Sequence, residues 1–304
     1  MTAEQLTTND SEALMHKAGY VNIIGKPNVG KSTLMNALIG EKLSIITPKA
    51  QTTRHRILGI ANGENYQVIF SDTPGILKPR YKLQEKMLST IESVFTDADI
   101  ILFLADIDET FEFTHIIEKI NRLKLPVILA INKIDLSNQD KIMLLLKRWK
   151  EMIPQAEIFA ISALHNYNIK ELFNRIIELL PESPPYFPKE DLSDKNIRFF
   201  VAEIIREKIL LLYKQEIPYS VEVVIESYKE DKKLDKIQAT IFVERDSQKG
   251  IIIGHKGEAL KKVGTQARKD IENLVGKKVF LELFVKVKKD WRNSESALRG
   301  FGYE

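Results

Sequence analysis

The 304-residue chain contains no cysteine. Neither a disulfide framework nor a thiolate metal site can be built, and the composition fits a reducing cytosol. Long apolar runs are missing as well: none approaches the ~18–20 residues that a bilayer-spanning helix requires. The opening segment is polar and mildly acidic, without the basic start and apolar core of a secretory signal, so residues 1–18 read as a disordered extension. Net charge is only +3, but it is unevenly spread. From Arg245 to Arg292 stand thirteen Lys/Arg against six Asp/Glu, which leaves the remainder slightly acidic. A basic C-terminal part points to a polyanion partner, with a solvated basic face as the competing reading.

What is present is a strong alternation. Apolar runs at Tyr20–Ile24, Ile57–Ile60, Gln67–Phe70, Ile100–Ala105, Val127–Ile131 and Ile158–Ile161 are separated by amphipathic stretches near 31–39, 82–95, 114–123, 138–152 and 168–180. This pattern predicts an α/β domain over 19–182, doubly wound on a largely parallel sheet, with ligands at the carboxyl ends of its strands.

The stretch Gly25, Lys26, Pro27, Asn28, Val29, Gly30, Lys31, Ser32, Thr33 joins the first strand to the first helix. Glycines allow a tight turn, and the backbone N–H groups at the helix start converge on nucleotide phosphates. Lys31 can reach the β/γ-phosphates and the Ser32 hydroxyl can ligate Mg²⁺. In the polar loop 44–56, Thr53, favoured over Thr52, can complete the Mg²⁺ shell. Asp72, Thr73, Pro74 and Gly75 close the third strand. Asp72 can hold Mg²⁺ through water, and the Gly75 N–H can bond a γ-phosphate, releasing the following loop on hydrolysis. Neighbouring Arg54 and His55 read as members of a mobile loop without a role.

Asn132, Lys133 and Asp135 carry the base choice. An ionised Asp135 accepts from N1–H and the 2-amino group of guanine, whereas adenine would leave it unpaired. Asn132 can bond the N7/O6 side, and the Lys133 stem can cover the base. A helix cap at Asp135 or Ser137 is the competing reading. Ser162, Ala163 and Leu164 follow the last strand, where the Ala163 N–H can meet guanine O6.

Pro181, Pro184, Pro185 and Pro188 end this pattern, so 183–197 reads as a semi-rigid spacer. Over 198–304, an amphipathic helix (198–213) precedes alternating stretches at 219–227, 236–244 and 278–287, with helices near 247–253 and 258–274. The order α-β-β-α-α-β predicts an α+β domain with a three-stranded sheet. Gly254, His255, Lys256 and Gly257 stand between its last two helices. Two glycines let backbone crowd a sugar-phosphate chain, and Lys249, Lys256 and Lys261 suit phosphates. Ile251, Ile252 and Ile253 are expected to floor a groove for unstacked bases. Trp291 and Phe301 are expected to pack against this sheet.

The ordered motifs resemble those of a P-loop GTPase domain of the translation-factor type. Gln-Thr-Thr-Arg-His with Lys-Pro-Asn-Val-Gly-Lys-Ser is similar to the bacterial Era family, and Gly-His-Lys-Gly resembles the clamp of a type II KH domain. The resemblance implies a GTPase using GTP/GDP and Mg²⁺, with Lys31, Asn28 and Gly75 catalytic. It also implies binding at the 3′ end of 16S ribosomal RNA and action in assembly of the 30S ribosomal subunit, as a cytoplasmic monomer. Some family members sit peripherally at the inner membrane, but no anchor is visible here. Related potassium-activated GTPases hold K⁺ with an asparagine at the Asn28 position, and Ile76 stands where many GTPases place a water-orienting glutamine. The alternative is a constitutive single-stranded RNA-binding protein in which guanine nucleotide is mainly structural.

Overall fold

The computed structural model describes residues 16–108 and 114–303; residues 1–15 of the expected extension lie outside them. In chain order the first unit contains β1 (Lys17–Gly25), α1 (Lys31–Ile39), β2 (Ile57–Asn62), β3 (Tyr66–Asp72), α2 (Lys82–Ser93), β4 (Ile100–Asp106), α3 (Thr114–Asn121), β5 (Val127–Asn132), α4 (Gln139–Met152), β6 (Glu157–Ala160) and α5 (Ile169–Leu179). β1 thus begins at Lys17, inside the stretch expected to be disordered, because Lys17 and Ala18 already pair in register with Tyr66 and Gln67 of β3.

The six strands run in the order β2-β3-β1-β4-β5-β6. All neighbours are parallel except β2 and β3. Strands covered on both faces need apolar residues at nearly every position. β4 and β5 meet that demand with Ile100–Ala105 and Val127–Ile131, all buried. On one face, Leu34, Met35 and Leu38 of α1 and Leu172 and Ile176 of α5 cover Val21, Ile23, Phe70 and Leu102. On the other, Ile91 of α2, Ile117 and Ile120 of α3 and Trp149 of α4 cover Ile24, Ile101, Phe103 and Leu129. Each such side chain contributes roughly 1.5–3 kcal/mol by leaving water.

The proline-rich segment is not a free spacer. Buried Gln67 accepts from the backbone N–H groups of Tyr186 (2.7 Å) and Phe187 (2.9 Å) and donates to the Phe187 carbonyl (2.8 Å). Farther on, Ile60 N–H donates to Leu192 O at 2.9 Å, and Leu58 N–H to Asp194 Oδ1 at 3.0 Å. Proline removes donors only at its own positions, so the intervening residues remain able to dock.

The second unit has α6 (Ile197–Leu212), α7 (Ile217–Ser220), β7 (Glu222–Lys229), β8 (Leu234–Val243), α8 (Asp246–Ile253), α9 (Glu258–Val275), β9 (Lys278–Val287) and α10 (Glu295–Gly300). β7-β8 pair antiparallel and β8-β9 parallel. The strand expected from Tyr219 instead starts at Glu222, since Pro218 seeds the short turn of α7. Ile237, Ala239, Ile241 and Val243 all face the helices, where Ile205 and Ile209 of α6 and Val263 and Ala267 of α9 meet them. Phe301 packs on Phe242 of the sheet, ring centroids 5.2 Å apart. Trp291, expected against this sheet, instead clusters with Leu298 and Tyr303 and buries Leu83 and Met87 of α2 in the first unit.

Candidate functional site

The turn after β1 needs glycine at residue 30. Its φ is 101°, and a Cβ there would lie 2.3 Å from the Asn132 amide. That amide braces the site. Asn132 Nδ2 donates to Val29 O at 2.8 Å, and Asn132 Oδ1 accepts from Ala163 N–H at 2.9 Å. Asn132 and Ala163, both expected at the base, also bond each other and tie three loops together.

A cleft of about 600 Å³ opens beside this brace. Pro27, Asn28, Gly30, Lys31, Ser32, Thr33, Thr52, Thr53, Thr73, Gly75, Asn132, Lys133, Asp135, Ser162 and Leu164 line it. Gly25, Lys26, Val29, Asp72, Pro74 and Ala163 are not part of that lining. Lys31 Nζ donates to Gly25 O (3.1 Å) and Lys26 O (2.8 Å). Burial pushes this ammonium down to about 8, with the Asp72 charge opposing the shift.

Behind Lys31, Ser32 Oγ, Thr53 Oγ1 and Asp72 Oδ2 converge within 2.7–3.1 Å of one another. Burial raises the Asp72 carboxyl above the usual carboxylate range, while the Ser32 hydroxyl and the Lys31 charge pull the other way. Its second oxygen, Oδ1, is buried without a hydrogen-bond partner. Hard oxygen donors meeting beside an unsatisfied carboxylate fit Mg²⁺, which binds through few protein ligands and completes its shell with water and phosphate. Thr52 is occupied elsewhere, bonded to Thr47 Oγ1 and Lys49 O at 2.6 Å each. Thr73 Oγ1 donates to Ile23 O at 2.8 Å, and Ile76 turns its side chain into the core.

At the other end of the cleft, α4 takes Asn138 as its cap, so Asp135, in the short 3-10 turn Ile134–Leu136 before it, is not that cap. Ser162 Oγ holds Asp135 Oδ1 at 2.5 Å, and His165 Nε2 lies 3.7 Å from Oδ2. Lys133 Nζ is fixed by Asp106 at 2.9 Å. Leu136 and Leu164, 70 % and 73 % exposed, flank the opening as apolar walls for a planar group. Leu136 and His165 escaped the sequence reading, although both lie within three residues of a motif.

The 44–56 loop, expected to leave Arg54 and His55 without a role, is tied through both to the second unit. Arg54 is buried in the second unit, donating from Nη1 to Val221 O (2.6 Å) and Glu222 Oε2 (3.1 Å), and from Nη2 to Pro218 O (3.1 Å). His55 stacks on Tyr303, centroids 4.2 Å apart. Asn28, with φ 64°, reaches the same loop through Nδ2 to Pro48 O at 3.2 Å.

In the second unit Gly254 (φ 72°) and Gly257 (φ 81°) bracket exposed His255 and Lys256. A Cβ on Gly254 would fall 2.6 Å from that of Ala259. The adjoining groove, about 450 Å³, runs between α9 and β9 and includes Gly257 and Lys261 together with Leu260, Gly264, Arg268, Phe280 and Leu283. Ile253, Gly254, His255, Lys256 and Lys249 lie outside its lining. Ile252 sits in the core, so the floor comes from Leu260, Leu281 and Leu283 rather than the isoleucine run. Lys261, Gly264, Thr265 and Arg268 share one helical face by their spacing, a signal the sequence did carry.

Among the described residues no helix is long and apolar enough to cross a membrane. Residues 20–133 match the family of 50S ribosome-binding GTPases, and 216–292 match the KH domain. GTPase Era of Clostridium kluyveri is 47 % identical over 293 residues, 95 % of this chain and all of that protein. A crystal structure of Era with MgGDPNP and nucleotides 1506–1542 of 16S ribosomal RNA superposes with TM-score 0.91 at 42 % identity, covering 95 % of this chain and 99 % of that one. A single-residue variant of Aquifex aeolicus Era bound to GDP·AlF4⁻ gives TM-score 0.89, also at 42 % identity, over 94 % and 99 % of the two chains. The likeness runs through both units and the tail that joins them, and the chain belongs to the Era family of GTPases.

Proposed function

We propose that this GTPase is a nucleotide-driven switch that holds the 3′ region of 16S ribosomal RNA in its KH groove and acts in assembly of the 30S subunit. The observation that carries the reading is the convergence of Ser32, Thr53 and Asp72 oxygens at 2.7–3.1 Å beside a cleft whose far end presents Asp135. An oxygen cluster of this kind suits a Mg²⁺-bound triphosphate, and a carboxylate at the other end suits guanine. Ser32, Thr53 and Asp72 would hold Mg²⁺ there, and its charge would offset the negative charge of the phosphates.

Within the chain, the Lys31 ammonium and the N–H groups at the start of α1 orient the β- and γ-phosphates. Ser162 aims Asp135, and Asn132 holds the three loops around the base in fixed register. Gly75 reports the γ-phosphate to the segment leading into α2, and Thr53 reports it to the loop 44–56. Hydrolysis releases both. Ile76 cannot orient water, and Asn28 would be the residue to hold a K⁺, which would supply positive charge beside the phosphates. Equal single-turnover rates in K⁺ and Na⁺ would remove that assignment.

The RNA reading is supported by the groove between α9 and β9 and by the rRNA bound to the related Era structure. A KH clamp holds about four single-stranded nucleotides. The working unit is taken as a cytoplasmic monomer with a GTPase domain over 19–182 and a KH domain over 198–304. Crosslinking to RNA with mapped sites, in GTP- and GDP-loaded protein, tests the whole reading. Contacts centred on Lys256, Lys261 and Arg268 in the GTP state are expected, and crosslinks indifferent to nucleotide and remote from α9 would overturn it.

A further inference from the structure

Nucleotide cleft and RNA groove touch the same helix, α6. Near its middle, Arg206 donates from Nη2 to the carbonyl of Thr52 at 2.5 Å. The same guanidinium is clasped by Glu203, Nε to Oε1 at 2.7 Å, and its side chain is 1 % exposed. Thr52 directly precedes Thr53, whose hydroxyl belongs to the oxygen cluster. One residue on, Glu207 accepts from Lys42 at 2.9 Å.

The C-terminal end of α6 faces both ways. The Tyr213 carbonyl accepts from Lys49 of the 44–56 loop. The Tyr213 hydroxyl donates to Ile252 O at 2.7 Å, two residues before Gly254 of the RNA clamp. Ile252 is fully buried, so movement of the clamp backbone reaches Tyr213 without a solvated gap. A helix of 16 residues spans roughly 24 Å and is stiff along its axis.

We propose that Arg206 and Tyr213 are positioning residues through which α6 carries the state of the RNA clamp to Thr53, so that the KH domain helps set the metal-binding geometry of the GTPase centre. This deepens the switch proposed above and rests on it. Arg206 Nη1 already lacks a hydrogen-bond partner, so letting go of Thr52 would strip a second contact from a buried charge. Thr52 therefore tracks α6. When RNA phosphates order the 254–257 turn, Ile252 O moves with it, Tyr213 follows, and the helix shifts the Thr52 carbonyl. Run in reverse, a γ-phosphate that draws Thr53 inward pulls on Arg206 and so on the clamp. The two directions must have equal coupling.

The full chain provides the test. GDPNP affinity is measured with and without saturating RNA of nucleotides 1506–1542 of 16S ribosomal RNA, and the Mg²⁺ concentration for half-maximal GDPNP binding is titrated. Wild type is expected to show an RNA-dependent ratio in the range of about 5–150-fold. Tyr213→Phe should shrink that ratio by about fivefold, the order one lost hydrogen bond allows. Arg206→Lys keeps the charge beside Glu203 but loses the fork, and should raise the Mg²⁺ midpoint about tenfold for GDPNP, with a smaller shift for GDP. If both variants melt earlier yet keep the wild-type ratio and midpoint, the residues are only structural and the relay is wrong. A wild-type ratio of one would remove the switch itself, and the relay with it.

Discussion

Gly75 and Pro27 touch backbone to backbone: a Cβ on residue 75 would lie 2.6 Å from both the Cα and the nitrogen of Pro27. Neither atom can yield without moving the phosphate loop. Gly75→Ala should therefore push the 72–81 segment off that loop and lower GTP turnover at least tenfold. GDP, which lacks the γ-phosphate proposed to meet Gly75, should lose less affinity. Stopped-flow nucleotide binding beside phosphate release checks this; a fully active alanine variant would show that the close approach is dispensable.

Asp135, the proposed reader of the base, is held by Ser162 at 2.5 Å. Asp135→Asn should reverse the donor–acceptor match, costing GTP on the order of 10⁴-fold while xanthosine triphosphate becomes the better ligand. Competition between the two nucleotides reads the outcome directly.

Lys31 gives the pH dependence its sign. Burial disfavours its charge and pushes the ammonium down to about 8. A triphosphate favours the charged form and raises that value on binding. Affinity is then whole below about pH 8 and declines as pH climbs, approaching tenfold per unit until the bound value is passed. Calorimetry at about pH 9 in buffers of different ionisation heat should report uptake of about one proton on binding. The same uptake persisting in Lys31→Met would assign the proton elsewhere.

Lys256 beside the clamp and Lys261 in the groove should meet phosphates. Replacing both by alanine should weaken RNA binding across sequences and flatten the slope of log affinity against log salt by about 1.4, near 0.7 per lost single-strand contact. An unchanged slope would place the strand elsewhere.

Trp291 is fully buried, and its indole N–H donates to Ser220 O at 3.1 Å. Trp291→Phe should cost about 1–3 kcal/mol by stranding that carbonyl, and Trp291→Ala about 3–5 kcal/mol by opening a cavity against α2. Thermal melts of the full chain measure both.

Much of this architecture was legible because local pattern and global packing agree. Lys278–Val287 alternates with period two and folds as β9 over those same residues, and α1 occupies 31–39 as its pattern requires. Where local and distant demands part, the sequence misleads. Tyr219 and Val221 alternate correctly with the strand beyond, yet Pro218 turns the chain first. Arg54 sits in a polar loop, but its acceptors at Pro218, Val221 and Glu222 are more than 160 positions away. No local signal encodes such partners. The place of Asn132 in its motif is visible locally, but its bracing bonds to Val29 and Ala163 exist only once three loops meet.

The docking of Leu192–Asp194 along β2 also governs how the chain tolerates being divided. β2 is the terminal strand of the six-stranded sheet, and its outward N–H groups at Leu58 and Ile60 and the Leu58 carbonyl are taken by this segment. A fragment ended at Glu182 would bare that row and invite strand addition between copies, the usual route to aggregation. Ended at Lys195 instead, it keeps its own guard.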